Sequence, residues 1–206
     1  MDSENVDESN ESLVLMDQDS NGPKKWIEGG LYFADPPSIM STISWNCCGL
    51  GNPRASQFLE DLVLQKKPKF VFVCETICKK DVIERLKFRL GFEACFSVDP
   101  VGRKGGLALF WKVKEEACLL GYSNNHIDVE ISLEGTTKWR LTGLYGEPNR
   151  AFRHQTWALV RTLRRNSHLP WCVIGDINNI GSVNEQKGGR PYPNYLINGF
   201  QEMLSE

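Results

Sequence analysis

From Ser41 onward the apolar residues follow two periods in turn, one close to 2 and one close to 3.6. Thr42–Asn46 alternates, with Ile43 and Trp45 on one face and Ser44 and Asn46 on the other. Asn52-Pro53 then reads as an N-cap followed by proline at the first helical position. The stripe Ala55, Phe58, Leu59, Leu62 and Val63 predicts a helix that Pro68 ends. Phe70–Cys74 is apolar throughout and predicts a strand buried on both faces. Lys80–Leu90 repeats the helical period through Val82, Ile83, Leu86 and Leu90, with Gly91 as its C′ residue. Strands are predicted at Gly105–Trp111, His126–Leu133 and Trp139–Tyr145, the last two joined as a hairpin through Glu134-Gly135. In His126–Leu133 the odd positions point inward, and His126, Asp128, Glu130 and Ser132 point out toward solvent. A third helix covers roughly 151–165, with Phe152, Leu159, Val160 and Leu163 as its buried stripe. Trp171–Ile174 is the last predicted strand, followed by a stretch rich in Gly, Pro and Asn. Strands with interspersed helices, some joined as hairpins, predict an α/β or α+β layered sandwich.

The first 40 residues stand apart. Gly22-Pro23, Gly29-Gly30 and Pro36-Pro37 break any periodicity there. Residues 1–22 carry seven acids and no Lys or Arg, which leaves 24 bases against 19 acids in the remainder and hides a net of +5 behind the overall −2. The expected organisation is an acidic, disordered leader over 1–40 and one domain over 41–206. A mildly basic body tolerates polyanions but is common in proteins that never meet one. No apolar run is long enough to span a membrane and no signal peptide is recognisable, so no membrane association is expected. Seven cysteines without a C-x-x-C pair read as core thiols in a reducing compartment, which places the protein inside the cell, in nucleus or cytoplasm, and not secreted.

Polar residues recur where the predicted strands end: Asn46, Glu75, Tyr145, Asp176 and Asn178. Strand ends commonly gather groups that are distant in sequence. Alternation along an extended Gly175-Asp176-Ile177-Asn178 would put the Asp176 carboxylate and the Asn178 amide on one side. Hydrolysis of a phosphodiester needs a positioned water, a cation against developing charge, and neutral donors to phosphate oxygens. Glu75 suits the cation, Asp176 the water, and Asn46, Tyr145 and Asn178 the phosphate. Each has an ordinary reading beside that one. Asn46 serves equally as a turn former, Glu75 as a first-turn helix residue, Asp176–Asn178 as an Asx-turn and Tyr145 as an aromatic anchor. His126 reads as solvated on an exposed strand face, and Arg103 and Lys104 as a solvated turn.

Taken in order, the motifs Ser44-Trp45-Asn46-Cys47-Cys48-Gly49-Leu50-Gly51, Val73-Cys74-Glu75-Thr76, Gly102–Trp111, His126-Ile127-Asp128-Val129, Leu144-Tyr145-Gly146-Glu147-Pro148, Arg153 with Trp157, and Pro170–Asn178 resemble the endonuclease/exonuclease/phosphatase superfamily. They are most similar to the apurinic-type endonuclease domain of plant LINE-type non-LTR retrotransposons, and they span about residues 41–190. The resemblance implies a four-layered α/β sandwich of the DNase I-like type and a hydrolase that nicks DNA with Mg²⁺ or Mn²⁺, with no organic cofactor. It implies that Asn46 and Glu75 hold the metal and phosphate, that Tyr145 and Asn178 contact the phosphate, and that Asp176 aligns the water. Three positions depart from the pattern: Cys48 replaces Arg, Ile177 replaces Phe and Gln186 replaces Lys. The family's later Ser-Asp-His motif is absent as well, since His126, His154 and His168 all precede Asp176. The expectation is therefore a fold incomplete at its C-terminus, either a nuclease or an inactive remnant that binds metal or nucleic acid weakly. Action on another phosphoester, such as a phosphoinositide, is the third reading.

Overall fold

The structure, a computed structural model, describes residues 30–32, 41–186 and 191–206. Two sheets pack face to face with helices on both outer sides. One sheet has four strands in the order β2 (Thr42–Asn46), β3 (Phe70–Cys74), β5 (Leu107–Trp111), β4 (Ala94–Val98). The other has five, in the order β1 (Gly30–Tyr32), β9 (Trp171–Asp176), β8 (Trp139–Tyr145), β7 (His126–Ile131), β6 (Ala117–Ser123). Helices α1 (Pro53–Lys66) and α2 (Lys80–Arg89) cover the first sheet. Helices α3 (Arg153–Arg165) and α4 (Asn194–Ser205) cover the second. The four layers expected from the sequence are present. No helix among the described residues is long and apolar enough to cross a membrane.

Side-chain alternation along β3 explains the layering. Phe70, Phe72 and Cys74 enter the core between the sheets, together with Leu107, Leu109, Ile127, Val129, Trp139 and Leu141. Val71 and Val73 point the other way and pack with Ile43, Leu59, Ile83, Leu86 and Phe110 beneath α1 and α2. A third core of Leu144, Val160, Leu163, Val173, Phe200 and Met203 lies under α3 and α4. The helix ends follow the expected signals. Asn52 accepts from the Arg54 N–H, with Pro53 in the first turn of α1. At the end of α2, Gly91 (φ +68°) donates to the Phe88 carbonyl and Phe92 donates to that of Lys87, a Schellman arrangement.

Several expectations are corrected. Strands β4 and β6 were not anticipated. In β6 a register shift between Leu119 and Gly121 destroys the alternation that would have marked it. The Gly/Pro/Asn-rich tail contains α4, whose stripe Leu196, Ile197, Phe200 and Met203 is buried while Gly199 lets the helix close onto Trp157. Within the expected leader, Gly30–Tyr32 pairs antiparallel with Tyr32 opposite Cys172 on β9, and the rest of 1–40 lies outside the described residues. Phe58 and Phe152, expected in buried stripes, are exposed.

The largest correction concerns the face of β7 expected to meet solvent. His126 and Asp128 are buried there, Asp128 against the Arg140 that reaches the Leu163 carbonyl of α3. Asp128 accepts from Arg140 Nε at 2.8 and 2.9 Å, from Arg140 Nη2 at 2.6 Å and from Thr142 Oγ1 at 2.7 Å. Trp171 Nε1 donates to Thr142 Oγ1 at 2.7 Å, and its ring lies 4.8 Å from the Arg140 guanidinium. Arg140 Nη1 donates to the Leu163 carbonyl, where the α3 dipole favours a cation. A buried ion pair adds little net stability when whole, but removing one partner leaves the other charge uncompensated. Asp128→Ala is therefore expected to lower unfolding free energy by about 3–5 kcal/mol, as measured by urea denaturation. A loss below ~1 kcal/mol would contradict this account of the network.

Candidate active site

The two parallel strand pairs among the described residues end at the same rim. In β2/β3 Asn46 lies opposite Cys74, so Glu75 follows immediately beside it. In β8/β9 Tyr145 lies opposite Asp176. The Asn46 amide bridges the sheets, its Nδ2 donating to Glu75 Oε1 at 3.2 Å and to Asp176 Oδ2 at 3.0 Å. The Tyr145 hydroxyl donates to the same Glu75 oxygen. Four of the five residues singled out from the sequence thus form one hydrogen-bonded group.

Asn178 joins that group differently from the expectation. The ladder ends at Asp176, and Asn178 turns to φ +55°. Its N–H folds back onto Asp176 Oδ1 at 2.9 Å, and its Nδ2 donates to the Gly146 carbonyl at 2.8 Å. The Asx-turn is real, and it places Asn178 by a bend where strand alternation was expected to place it. Both Asp176 oxygens consequently accept hydrogen bonds, which fixes the plane of its carboxylate.

The loop carrying Glu75 is held from both sides. Gly49 N–H donates to the Glu75 carbonyl and Leu50 N–H to that of Thr76, both at 2.8 Å. Thr76 and Ile77 donate to Gly106 and Gly105, both at 3.1 Å. Left-handed backbone at non-glycine residues concentrates here: Cys48 (φ +45°), Glu75 (φ +54°), Ile77 (φ +50°) and Asn178 (φ +55°). The only other described case, Lys67, caps α1. Such conformations cost on the order of 1–3 kcal/mol each and persist where the surroundings over-determine them. Close approach of β8 to β9 demands glycine twice. A Cβ on Gly146 would stand 2.0 Å from the Ile177 carbonyl oxygen, and one on Gly175 1.9 Å from that of Leu144.

The site is electronegative. Neither Glu75 nor Asp176 takes part in any ion pair seen among the described residues. Burial, the hydrogen bond to Glu75, and the charges of Glu75 and Asp176 hold the Tyr145 phenol well above its ordinary pKa, so it remains a donor. Burial, then the same two carboxylates, push up the Cys48 thiol at the rim. Two carboxylates are hard donors, and the Asn46 amide oxygen is a third that here accepts from the Cys48 N–H at 3.3 Å while Nδ2 faces the carboxylates. No cluster of three His, Cys, Asp or Glu side chains able to hold an ion exists among the described residues. That set fits a Mg²⁺-like cation, which keeps most of its waters and needs one or two carboxylates, and does not fit a structural zinc site.

Other residues considered from the sequence lie elsewhere or have structural partners. Buried His126 sits 2.7 Å from Ser123 Oγ through Nδ1, and burial lowers its pKa, so the solvated reading is corrected. Arg103 and Lys104 occupy an exposed turn, as expected. Arg153 bonds Tyr192 and the Pro148 carbonyl. Sequence reasoning missed Asn125, which bonds the Tyr145 main chain; a Ser-Asn-Asn-His run carries no signal beyond an ordinary turn.

Residues 43–190 match the Endonuclease/Exonuclease/phosphatase family. Three solved structures share the fold. The catalytic domain of human Nocturnin with bound sulfate anion is 15% identical, with 78% of this chain and 69% of that one covered and a TM-score of 0.56. The endonuclease domain of TRAS1, a telomere-specific non-LTR retrotransposon, is 14% identical, with 79% and 69% covered and a TM-score of 0.53. An AP endonuclease from Archaeoglobus fulgidus is 14% identical, with 81% and 70% covered and a TM-score of 0.63. No curated protein matches the sequence.

Two carboxylates held near one amide repel each other when no cation is bound. Glu75→Gln is expected to raise metal-free stability by roughly 1 kcal/mol; millimolar Mg²⁺ is expected to raise the Tm of the unmodified protein and to raise that of the variant far less. Thermal unfolding with and without Mg²⁺ measures both. An equal Mg²⁺ shift in the two proteins would place the cation elsewhere.

Proposed function

This chain belongs to the endonuclease/exonuclease/phosphatase family, and from that premise we propose that it is a phosphodiesterase acting on DNA with Mg²⁺ or Mn²⁺. One observation carries the reading: Asn46 reaches both Glu75 and Asp176, carboxylates from different sheets, and Tyr145 closes on the first. Glu75, and the Asn46 amide oxygen once the amide turns over toward it, would hold the cation, which when bound offsets charge growing on the phosphate oxygens. Asp176 is fixed by two donors, so it can orient a water and accept its proton. The Tyr145 hydroxyl, which here donates to Glu75, and the second amide hydrogen of Asn178 are neutral donors that would add no repulsion against a phosphate. The motifs resembling LINE-type elements support DNA over a phosphoinositide and support a retroelement origin.

A second reading, in which the chain binds metal and nucleic acid with little turnover, is favoured by one feature. No histidine stands in the cluster. His126 is buried beside Asp128, His154 is exposed in the first turn of α3, and His168 is exposed between α3 and β9; none bonds Glu75 or Asp176 among the contacts seen. A missing acid/base group typically costs about 10²–10⁴ in rate.

Nicking of supercoiled and abasic-site plasmid DNA in Mg²⁺ separates these readings. Turnover that Asp176→Ala lowers by at least about 100-fold supports the nuclease. DNA binding without metal-dependent nicking supports the binding protein, and neither binding nor nicking would sink both.

A further inference from the structure

We propose that Asn125 is a positioning residue for this site, acting through Tyr145; the inference rests on the functional reading above. Asn125 lies in the turn between β6 and β7, next to His126, whose strand partner is Leu144. It bonds both main-chain groups of Tyr145. The Tyr145 N–H donates to the Asn125 carbonyl at 2.7 Å, and Asn125 Nδ2 donates to the Tyr145 carbonyl at 3.0 Å.

The second bond is the informative one. In a continuing antiparallel ladder the Asn125 N–H would meet that carbonyl. Here the N–H turns back to Ser123 Oγ at 3.1 Å, and the side-chain amide takes its place. Ser123 Oγ lies 2.7 Å from His126 Nδ1, so the turn is braced from within. Tyr145 is the last residue of β8, and nothing beyond it continues the ladder to β7. Without the Asn125 amide the Tyr145 carbonyl would lose its tie to this turn, leaving the Tyr145 N–H bond to the residue 125 carbonyl and, on the β9 side, Gly146 donating to the Asp176 carbonyl at 2.7 Å. A phenol that must meet one oxygen of Glu75 tolerates little fraying, and displacements near 1 Å at such groups cost about 100-fold in rate.

Asn125→Asp keeps the shape and the main-chain bond but sets an oxygen against the Tyr145 carbonyl. The expected result is a fall in kcat of about 10–100-fold with KM changed less than about twofold, and almost no further loss when Tyr145→Phe is already present. Equal losses in the two backgrounds would overturn the proposal. A readout independent of turnover and metal is the slowly exchanging hydroxyl proton of Tyr145, observed by NMR in metal-free protein and assigned by its disappearance in Tyr145→Phe. It is expected to vanish in Asn125→Asp. Its persistence there, or its absence from the unmodified protein, would also overturn the proposal. If the unmodified chain does not cut DNA but the resonance still depends on Asn125, positioning stands and the nuclease reading falls. Asn125→Ala, which removes only the Nδ2 donor, serves if the aspartate variant does not fold.

Discussion

The Asn46 amide and the Tyr145 hydroxyl join the two halves of the site. Asn46 comes from the four-stranded sheet and Asp176 from the five-stranded one, 130 residues away, and their bond spans the gap between sheets at 3.0 Å. That length is available only if the sheets stack at the correct spacing and with their parallel pairs ending together. The core between them sets the spacing. Phe70, Phe72, Leu109, Ile127, Val129 and Leu141 are fully buried in it, and a Cβ on Gly143 would stand 2.1 Å from the Phe72 ring. The geometry of the rim depends on packing well below it.

Around that bridge, main-chain features do most of the placing. Glu75 is caught between the 49–50 and 105–106 segments, and Asn178 is held by a turn onto Asp176. Four left-handed non-glycine residues and two glycines that admit no Cβ surround the same cluster. Strain gathered at one place, where local preference yields to surrounding hydrogen bonds, is a usual mark of a functional site. The Asp128–Arg140–Thr142–Trp171 network plays a different part. It satisfies the charges it buries, and it keeps β7, β8 and β9 aligned beneath the candidate cluster.

Much of the fold was legible because its elements are locally consistent. Phe70–Cys74 is apolar at every position, Asn52-Pro53 caps a helix, and Gly91 ends one. What escaped had its signal erased by a local irregularity. The shift at Leu119/Gly121 broke the period of β6, Gly and Asn diluted the stripe of α4, and Arg140 and Thr142 closed on a face of β7 whose polarity suggested water. The candidate residues were legible as strand-end polar groups. Asn125 was not, because its role is to bond a main chain that only pairing brings near.

The sequence by itself determined the periods, the caps, the order of motifs and the identity of the hard donors, since these depend on neighbours a few positions away. It did not determine that Asn46 would sit between Glu75 and Asp176, that Asn178 would arrive by a turn, or that Asp128 would be buried against Arg140. Those outcomes depend on which strands pair and how far apart two sheets stand. Non-local packing sets both, and no local propensity encodes them.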